Sequence, residues 1–112
     1  MANKYGAKKT TVDGITFDSR AEAKRYEVLR LLERQGEISD IQRQVSYELV
    51  PGVRLHGEQR KRPAIRYVAD FEYVGKHDEV IVEDVKGMDT PMSRLKRHLM
   101  AALLGVDVRI VR

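Results

Sequence analysis

Residues 67–87 constrain the fold of this chain more than any other part of the sequence. Two runs rich in β-branched and aromatic residues flank a short polar stretch, residues 75–79. Runs of this kind on either side of a short loop predict a β-hairpin. If Val74 pairs with Val80 across the loop, the register of every other opposed pair follows.

This register places two acidic side chains opposite each other. Asp70 lies across from Asp84, and Val68 lies across from Lys86. Alternation along a strand puts Asp70, Asp84 and Lys86 on one face of the sheet. Opposed side chains have Cβ atoms about 5 Å apart, where like charges are destabilising. A bound divalent cation would remove this repulsion, because hard cations are held by carboxylate oxygens.

Two alternatives to a metal site follow from the same residues. The acids can form the solvent-facing side of a half-buried hairpin with Lys86 as their counter-ion, because charge clusters also occur for structural reasons. A slip of the register by one residue would bring Glu83 onto the acidic face instead.

The composition limits the kinds of site that the chain can build. A chain of 112 residues is expected to form one domain. The sequence has no cysteine and three histidines, so a zinc centre is a poor prediction. It has no long apolar run, so we predict no membrane span and no signal peptide, and we expect a cytoplasmic protein. The net charge of +4 favours a polyanionic partner.

Helix and strand signals follow one another along the rest of the chain. Residues 1–9 are polar and basic and are expected to be flexible, so residues 10–112 form the predicted domain. Asp13-Gly14 predicts the turn of a small hairpin. Helices are predicted at residues 20–35 and from Pro91 to Gly105, and strands at residues 41–49, in both arms of the hairpin and at residues 107–111. The order indicates a mixed α/β sandwich.

Glu22 in the first helix can be interpreted in two ways. Ser19 followed by Glu22 forms a capping box, in which the glutamate satisfies a backbone donor at the helix start. Glu22 also shares one helical stripe with Tyr26 and Leu29, which puts it on the inward face. There it can point toward a metal held by the sheet.

Basic side chains occur on both sides of the acidic hairpin, and we predict that they bind phosphate groups without reading base sequence. They are Arg60, Lys61 and Arg62 in the preceding loop, and Arg94, Lys96 and Arg97 in the second helix. Gln44, on the strand before the loop, is either a substrate contact or a solvent-exposed side chain. The second helix is predicted to pack on the core through apolar residues at helical spacing: Met92, Leu95, Leu99 and Leu103.

The order of these residues resembles the PD-(D/E)XK nuclease superfamily. Glu22 on a helix and Asp70 on a strand are followed by Asp84-Val85-Lys86 on the next strand, and then by a basic helix. From about residue 5 onward, the chain is similar to a family of small phage and prophage proteins assigned to that superfamily. The resemblance implies a restriction-endonuclease-like α/β fold, with a mixed sheet core flanked by helices.

The resemblance also implies a role for each site residue. Asp70 and Asp84 would bind a divalent metal, with the Val85 carbonyl as a further ligand. Lys86 would position or polarise the attacking water, and Glu22 matches the helix glutamate that many members add to the metal shell. The implied cofactor is Mg²⁺, with Mn²⁺ as a substitute.

The sequence departs from the superfamily pattern at three places. Ala69 replaces the proline that names the motif. Glu83 beside Asp84 leaves the second metal ligand ambiguous. Asp84 is favoured because it lies two residues before Lys86 and so shares a face of the strand with it. A Gln-Tyr signature of some recombination nucleases is missing, and Lys96 or Arg97 stands in its place, which argues against that exonuclease branch.

The function implied by the resemblance is Mg²⁺-dependent hydrolysis of DNA by an endonuclease in the cytoplasm of a bacterial host. Branched or structured phage DNA, as cut by Holliday-junction resolvases in recombination, is the expected substrate. A homodimer would supply two sites for symmetric cutting. The alternatives are a non-catalytic nucleic-acid-binding module with a decayed nuclease site, and a structural protein in which the acids are surface charge.

Overall fold

The order of helices and strands in the computed structural model, which describes residues 8–112, confirms the predicted α/β class. The predicted flexible segment, residues 1–9, lies outside the described residues except for Lys8 and Lys9. The elements are β1 (Thr10–Val12), β2 (Ile15–Phe17), α1 (Arg20–Arg34), β3 (Ser39–Val50), β4 (Ile65–Val74), β5 (Val80–Val85), α2 (Pro91–Leu104) and β6 (Arg109–Val111). No helix in this part of the chain is long and apolar enough to cross a membrane.

Turn and cap residues fix the first elements where the sequence predicts them. Asp13 and Gly14 both have positive φ angles, 52° and 77°, as a two-residue hairpin turn requires. Ser19 caps α1, since its Oγ accepts a hydrogen bond of 3.1 Å from the Glu22 backbone N–H. Gly36, with φ of 77°, follows the end of the helix.

The main sheet has the strand order β3-β4-β5-β6. Its first three strands are antiparallel, and β6 lies parallel to β5. Val74 pairs with Val80 and Phe71 with Glu83, so the predicted hairpin register is confirmed. Strand β6 is two residues shorter than predicted at its start, because its ladder with β5 spans residues 109–111 alone.

Two hydrophobic clusters cover opposite faces of this sheet. Ile81 packs in one cluster and Val82 in the other, and consecutive side chains of a strand point to opposite faces. The buried members of the first cluster, which includes α1, are Phe17, Ala23, Tyr26, Leu29, Phe71 and Tyr73. Those of the second, which includes α2, are Leu49, Tyr67, Ala69, Val82, Met100 and Val108.

The side-chain alternation of β4 changes phase at Asp70. Ala69 belongs to the second cluster and Phe71 to the first, although both would share a face in a regular strand. Gln44 lies opposite Asp70 on β3, since its neighbours pair with Phe71 and Ala69, and it has a left-handed φ of 52°. The sheet is therefore irregular at the position of the first predicted metal ligand.

Helix α2 packs on the sheet through a different face from the one predicted. Met100 is its buried residue, and Leu99 is partly buried against the same cluster. Met92, Leu95 and Leu103 remain more than half exposed, so the predicted apolar stripe is wrong for these three residues. Arg97, three residues before Met100, is also largely buried and binds Asp89 through Nη1 and Nη2.

A buried ion pair determines which face Glu83 takes. Arg25 on α1 binds the Glu83 carboxylate twice, at 2.6 Å through Nε and at 2.9 Å through Nη2. The Tyr73 hydroxyl donates a third hydrogen bond of 2.6 Å to the same carboxylate. Glu83 is 1% exposed and faces α1, so the slipped register that would put it beside Asp70 does not occur.

We expect Arg25→Met to lower the free energy of unfolding by about 3 kcal/mol, because it leaves the Glu83 charge buried without its partner. Urea denaturation at neutral pH measures this change. Arg66→Met is the matched control, since its ion pair with Glu48 is half exposed and contributes about 0.5 kcal/mol or less.

The double variant Arg25→Met/Glu83→Leu should recover most of the lost stability, because a buried ion pair can be replaced by apolar side chains at small cost. If Arg25→Met proved no more destabilising than Arg66→Met, the ion pair would not hold α1 on the sheet.

Candidate functional site

The backbones of β4 and β5 separate where the two aspartates lie. Their ladder ends at Phe71 and Glu83. Beyond that pair, β5 continues alongside β6, and the Lys86 N–H donates to the Val111 carbonyl at 3.0 Å. We call the opening between the strands, with Asp70 and Asp84 at its apex, the acidic fork.

Each aspartate at the acidic fork accepts a hydrogen bond from the opposite strand. The Asp70 N–H donates to Asp84 Oδ1 at 2.9 Å, and the Val85 N–H donates to Asp70 Oδ2 at 2.8 Å. The carboxylates take the place of the carbonyl oxygens that a regular ladder would supply. They therefore satisfy backbone donors that would otherwise be left unpaired where the strands part.

Asp84 is the more enclosed of the two acids, with 3% of its surface exposed. Its Oδ2 accepts a hydrogen bond from the Tyr67 hydroxyl and lies 3.4 Å from Lys86 Nζ. Burial, followed by this hydrogen bond, raises the pKa of Tyr67. The sequence alone predicts no role for Tyr67 at this site. The signal that could have found its second role is the need of a buried tyrosine hydroxyl for a polar partner.

Asp70 is held less tightly and has an altered proton affinity. Burial and the nearby charge of Asp84 raise its pKa to about 6, while the hydrogen bond from Val85 N–H and the charge of Lys86 act in the opposite direction. Gln44 Nε2 donates to Asp70 Oδ1 at 3.4 Å, although the Gln44 side chain is otherwise exposed. The structure thus brings Gln44 to the acid.

Glu22 belongs to the same electrostatic group. Burial raises its pKa to about 7, and the charges of Asp70 and Asp18 add to the shift. A capping box has two hydrogen bonds. The first, from the Glu22 N–H to Ser19 Oγ, is present, but the described residues show no second bond from the Ser19 N–H to the Glu22 carboxylate. The carboxylate therefore stays available for a role at the fork.

The acidic fork offers a cation the right chemistry but no closed cage. Among residues 8–112, no three His, Asp or Glu side chains converge closely enough to hold a metal ion. All four carboxylate oxygens of Asp70 and Asp84 have protein partners. The donors are nevertheless hard oxygen ligands. Burial and, after it, neighbouring negative charge raise the pKa values of Asp70 and Glu22, and a cation would offset the second of these causes. This donor set fits Mg²⁺.

Some of the predicted phosphate-binding residues are paired with acids, and the others are not. Arg97 lies near the fork, because its charge acts on Tyr67 and Asp84, but it is bound to Asp89. Asp89 also lies 3.8 Å from Arg94, and Arg62 is paired with Glu58. The described residues show no ion pair for Arg60, Lys61 or Lys96.

We expect the metal-free protein to be less stable at pH 8 than at pH 5. Asp70 and Glu22 have ordinary pKa values of 3.8 and 4.5, which rise to about 6 and about 7 in the folded state. The folded state therefore binds more protons between these limits, and stability falls as pH rises through the folded pKa values. The difference should be about 1–2 kcal/mol once solvent screening at Glu22 is allowed for.

Urea denaturation in EDTA at both pH values measures this dependence. The double variant Asp70→Asn/Glu22→Gln serves as the control, because it removes both titrating groups and should show a flatter profile. A wild-type protein that is equally stable or more stable at pH 8 would contradict the prediction.

Comparison with known proteins places the chain in a family without assigning an activity. Residues 2–109 match the model of a family described as protein of unknown function (DUF1064). Neither the curated proteins nor the solved structures include a match to the chain. Because the match spans nearly the whole sequence, the chain belongs to the DUF1064 family.

Proposed function

We propose that this protein is a Mg²⁺-dependent nuclease of the PD-(D/E)XK type that hydrolyses phosphodiester bonds in DNA. One observation carries the proposal: two enclosed aspartates from diverging strands share the acidic fork with a lysine whose Nζ lies 3.4 Å from Asp84. Raised pKa values in such a cluster are typical of functional sites. Metal-dependent hydrolysis of a phosphodiester brings a divalent cation, a positively charged group and an opening for substrate to one place.

Each residue of the fork has a role in this proposal. Asp70, Asp84, Glu22 and the Val85 carbonyl would hold the ion. A bound Mg²⁺ supplies Lewis-acid polarisation of the phosphoryl oxygen and activation of the attacking water. Lys86 provides positive charge where negative charge develops during the reaction.

Branched or structured DNA is the substrate that we propose, with cutting inside the strand. Gln44, which donates to Asp70, is exposed, and basic side chains lie on both sides of the fork in the sequence. Side chains that contact phosphate fix the position of a nucleic acid without reading its bases. Recognition of shape rather than sequence would then select the substrate.

One observation favours a second candidate, a nucleic-acid-binding module without catalysis. Every carboxylate oxygen of Asp70 and Asp84 already has a protein partner, so the acids also have a structural role at the fork. Incubation of plasmid and branched oligonucleotides with Mg²⁺ or with EDTA separates the two. Cleavage in Mg²⁺ alone supports the nuclease, and binding without cleavage supports the module.

We expect Asp70→Asn to abolish cleavage and the stabilisation by Mg²⁺. If the Kd is near 1 mM, about 10 mM Mg²⁺ should stabilise the wild type by about 1.4 kcal/mol. The oxygen of the introduced amide can still accept from the Val85 N–H. The side-chain amide of Gln44 can rotate so that its oxygen accepts from the new NH₂ group, and the variant should therefore fold. Asp78→Asn is the matched control, because Asp78 is exposed in the hairpin loop and its φ of 63° suits asparagine.

Lys86→Ala should keep the Mg²⁺-induced shift in melting temperature and lose turnover, because lysine acts on the reacting groups rather than on the ion. Glu22→Gln should lose turnover as well, whereas a residue that only caps α1 would tolerate glutamine. An equal Mg²⁺-induced shift in melting temperature in the wild type and in Asp70→Asn would contradict the proposed metal site.

We further propose that the protein acts as a homodimer, since symmetric cutting of two strands needs two sites. Light scattering should give twice the chain mass, either free or on junction DNA. The exposed apolar side of α2 is the surface to test, with Leu95→Asp expected to give a monomer. A wild-type monomer under both conditions would exclude the resolvase-like mode of action.

A further inference from the structure

Strands β3 and β4 extend well beyond the rest of the sheet. They contain 12 and 10 residues, whereas β5 contains 6 and pairs with residues 71–74 of β4. Residues 65–69 of β4 therefore pair with β3 and not with β5. Pairing continues past the ends of both strands, where Val53 and Arg62 form a further antiparallel bridge. The result is a two-stranded ribbon that leads away from the acidic fork.

Gly52 makes the far end of this ribbon a built structure. A Cβ atom at Gly52 would lie 2.5 Å from the carbonyl oxygen of Arg62, a distance that real Cβ atoms do not show. Only glycine lets the two chains approach closely enough for the Val53–Arg62 bridge. At the outer end, Glu58 binds the guanidinium of Arg62 at 2.6 and 2.8 Å, which closes the loop. We call residues 53–63 the ribbon tip.

The ribbon tip is a strongly basic part of the protein. It contains four basic side chains against one acid, a net charge of +3, whereas the whole chain has +4. Glu58 is bound to Arg62, so Arg54, Arg60 and Lys61 are left exposed, and the described residues show no ion pair for them. Three cations held together on an ordered loop attract a polyanion.

An uncovered sheet surface runs from Gln44 and Asp70 to the ribbon tip. One face of the ribbon packs against Met100 through Tyr67 and Ala69. On the other face, exposed side chains follow one another outward from Gln44 and Asp70: Ser46, Glu48, Arg66 and Val68. The two charged residues among them lie 3.5 Å apart and offset each other. A polyanion can therefore lie along this face without meeting excess negative charge before the tip.

The length of the ribbon sets a distance between the two ends. Asp70 lies eight positions after Arg62 in the sequence. At a rise of about 3.3 Å per residue, the tip lies roughly 26 Å from the fork. B-DNA rises about 3.4 Å per base pair, so this distance corresponds to about eight base pairs.

We propose that the ribbon tip binds the phosphate backbone of a DNA duplex about eight base pairs from the phosphate at the acidic fork. Arg54, Arg60 and Lys61 supply the contacts, and the ribbon sets the minimum length of duplex on that side. This inference rests on the proposed function for the position of the scissile phosphate. It adds a substrate requirement, a duplex arm of sufficient length.

The test measures binding rather than cutting, so it is independent of catalysis. Fluorescence anisotropy in EDTA gives Kd at several salt concentrations for hairpin-capped duplexes with stems of about 6 to 16 base pairs. A short stem can contact basic groups at only one end of the ribbon, whereas a longer stem can contact basic groups near the fork and at the ribbon tip together. For the wild type, the slope of log K against log salt should increase by about 3 between the shortest and the longer stems, since three phosphate contacts are gained.

Two variants locate the effect in the ribbon tip. In Arg54→Ala/Arg60→Ala/Lys61→Ala, the increase in slope with stem length should disappear. Gly52→Ala keeps every charge but displaces the tip, and it should reduce the increase as well. The matched control Lys24→Ala/Arg34→Ala/Arg109→Ala removes three exposed cations elsewhere and should retain the increase.

A wild-type slope that does not change with stem length would overturn the proposal, as would a tip variant that keeps the increase. Cleavage assays on the same stems in Mg²⁺ report separately on the nuclease. Length-dependent binding without cleavage supports the ribbon proposal and contradicts the nuclease. Cleavage without length-dependent binding supports the nuclease and contradicts the ribbon proposal.

Discussion

Arg25 and Glu83 form the buried ion pair on which the arrangement of the acids depends. Glu83 and Asp84 are adjacent in a strand, so they point to opposite faces, and the sequence alone permits either of them at the fork. Because Arg25 and Tyr73 bind Glu83 under α1, Asp84 is directed to the fork. A buried ion pair is weak evidence for stability, but fixing a register is its best-attested use. The pair also carries α1 into position, and with it Glu22.

The fork combines repulsion between acids with hydrogen bonds that hold them in place. The donors to Asp70 and Asp84 are the backbone N–H groups freed where the strands part, and such bonds favour the charged form of a carboxylate. At Asp70, burial outweighs them, and its pKa rises to about 6. The backbone thus fixes the positions of the acids without neutralising them.

Local chemistry explains what the sequence could predict, and long-range contacts explain what it could not. Turn residues, caps and the β4–β5 register depend on near neighbours and are confirmed. The packing face of α2 is different, because Leu99 and Met100 are both apolar and either could face the sheet. Both pack against the second cluster, Met100 fully and Leu99 in part, and periodicity alone does not show how the sheet divides its contacts between them. The phase change at Asp70 is likewise set across strands, opposite the left-handed Gln44.

Distance keeps the two charged regions of the protein electrostatically separate. The ribbon tip lies roughly 26 Å from the fork by strand rise, more than twice the Debye length of about 10 Å at 0.1 M salt. The net charge of +3 at the tip therefore does little to neutralise the carboxylates, whose nearest cation is Lys86. The tip can therefore attract a polyanion whatever the charge state of the fork. Its attraction for DNA does not depend on a metal, because the two regions are too far apart for the charge of one to offset the charge of the other.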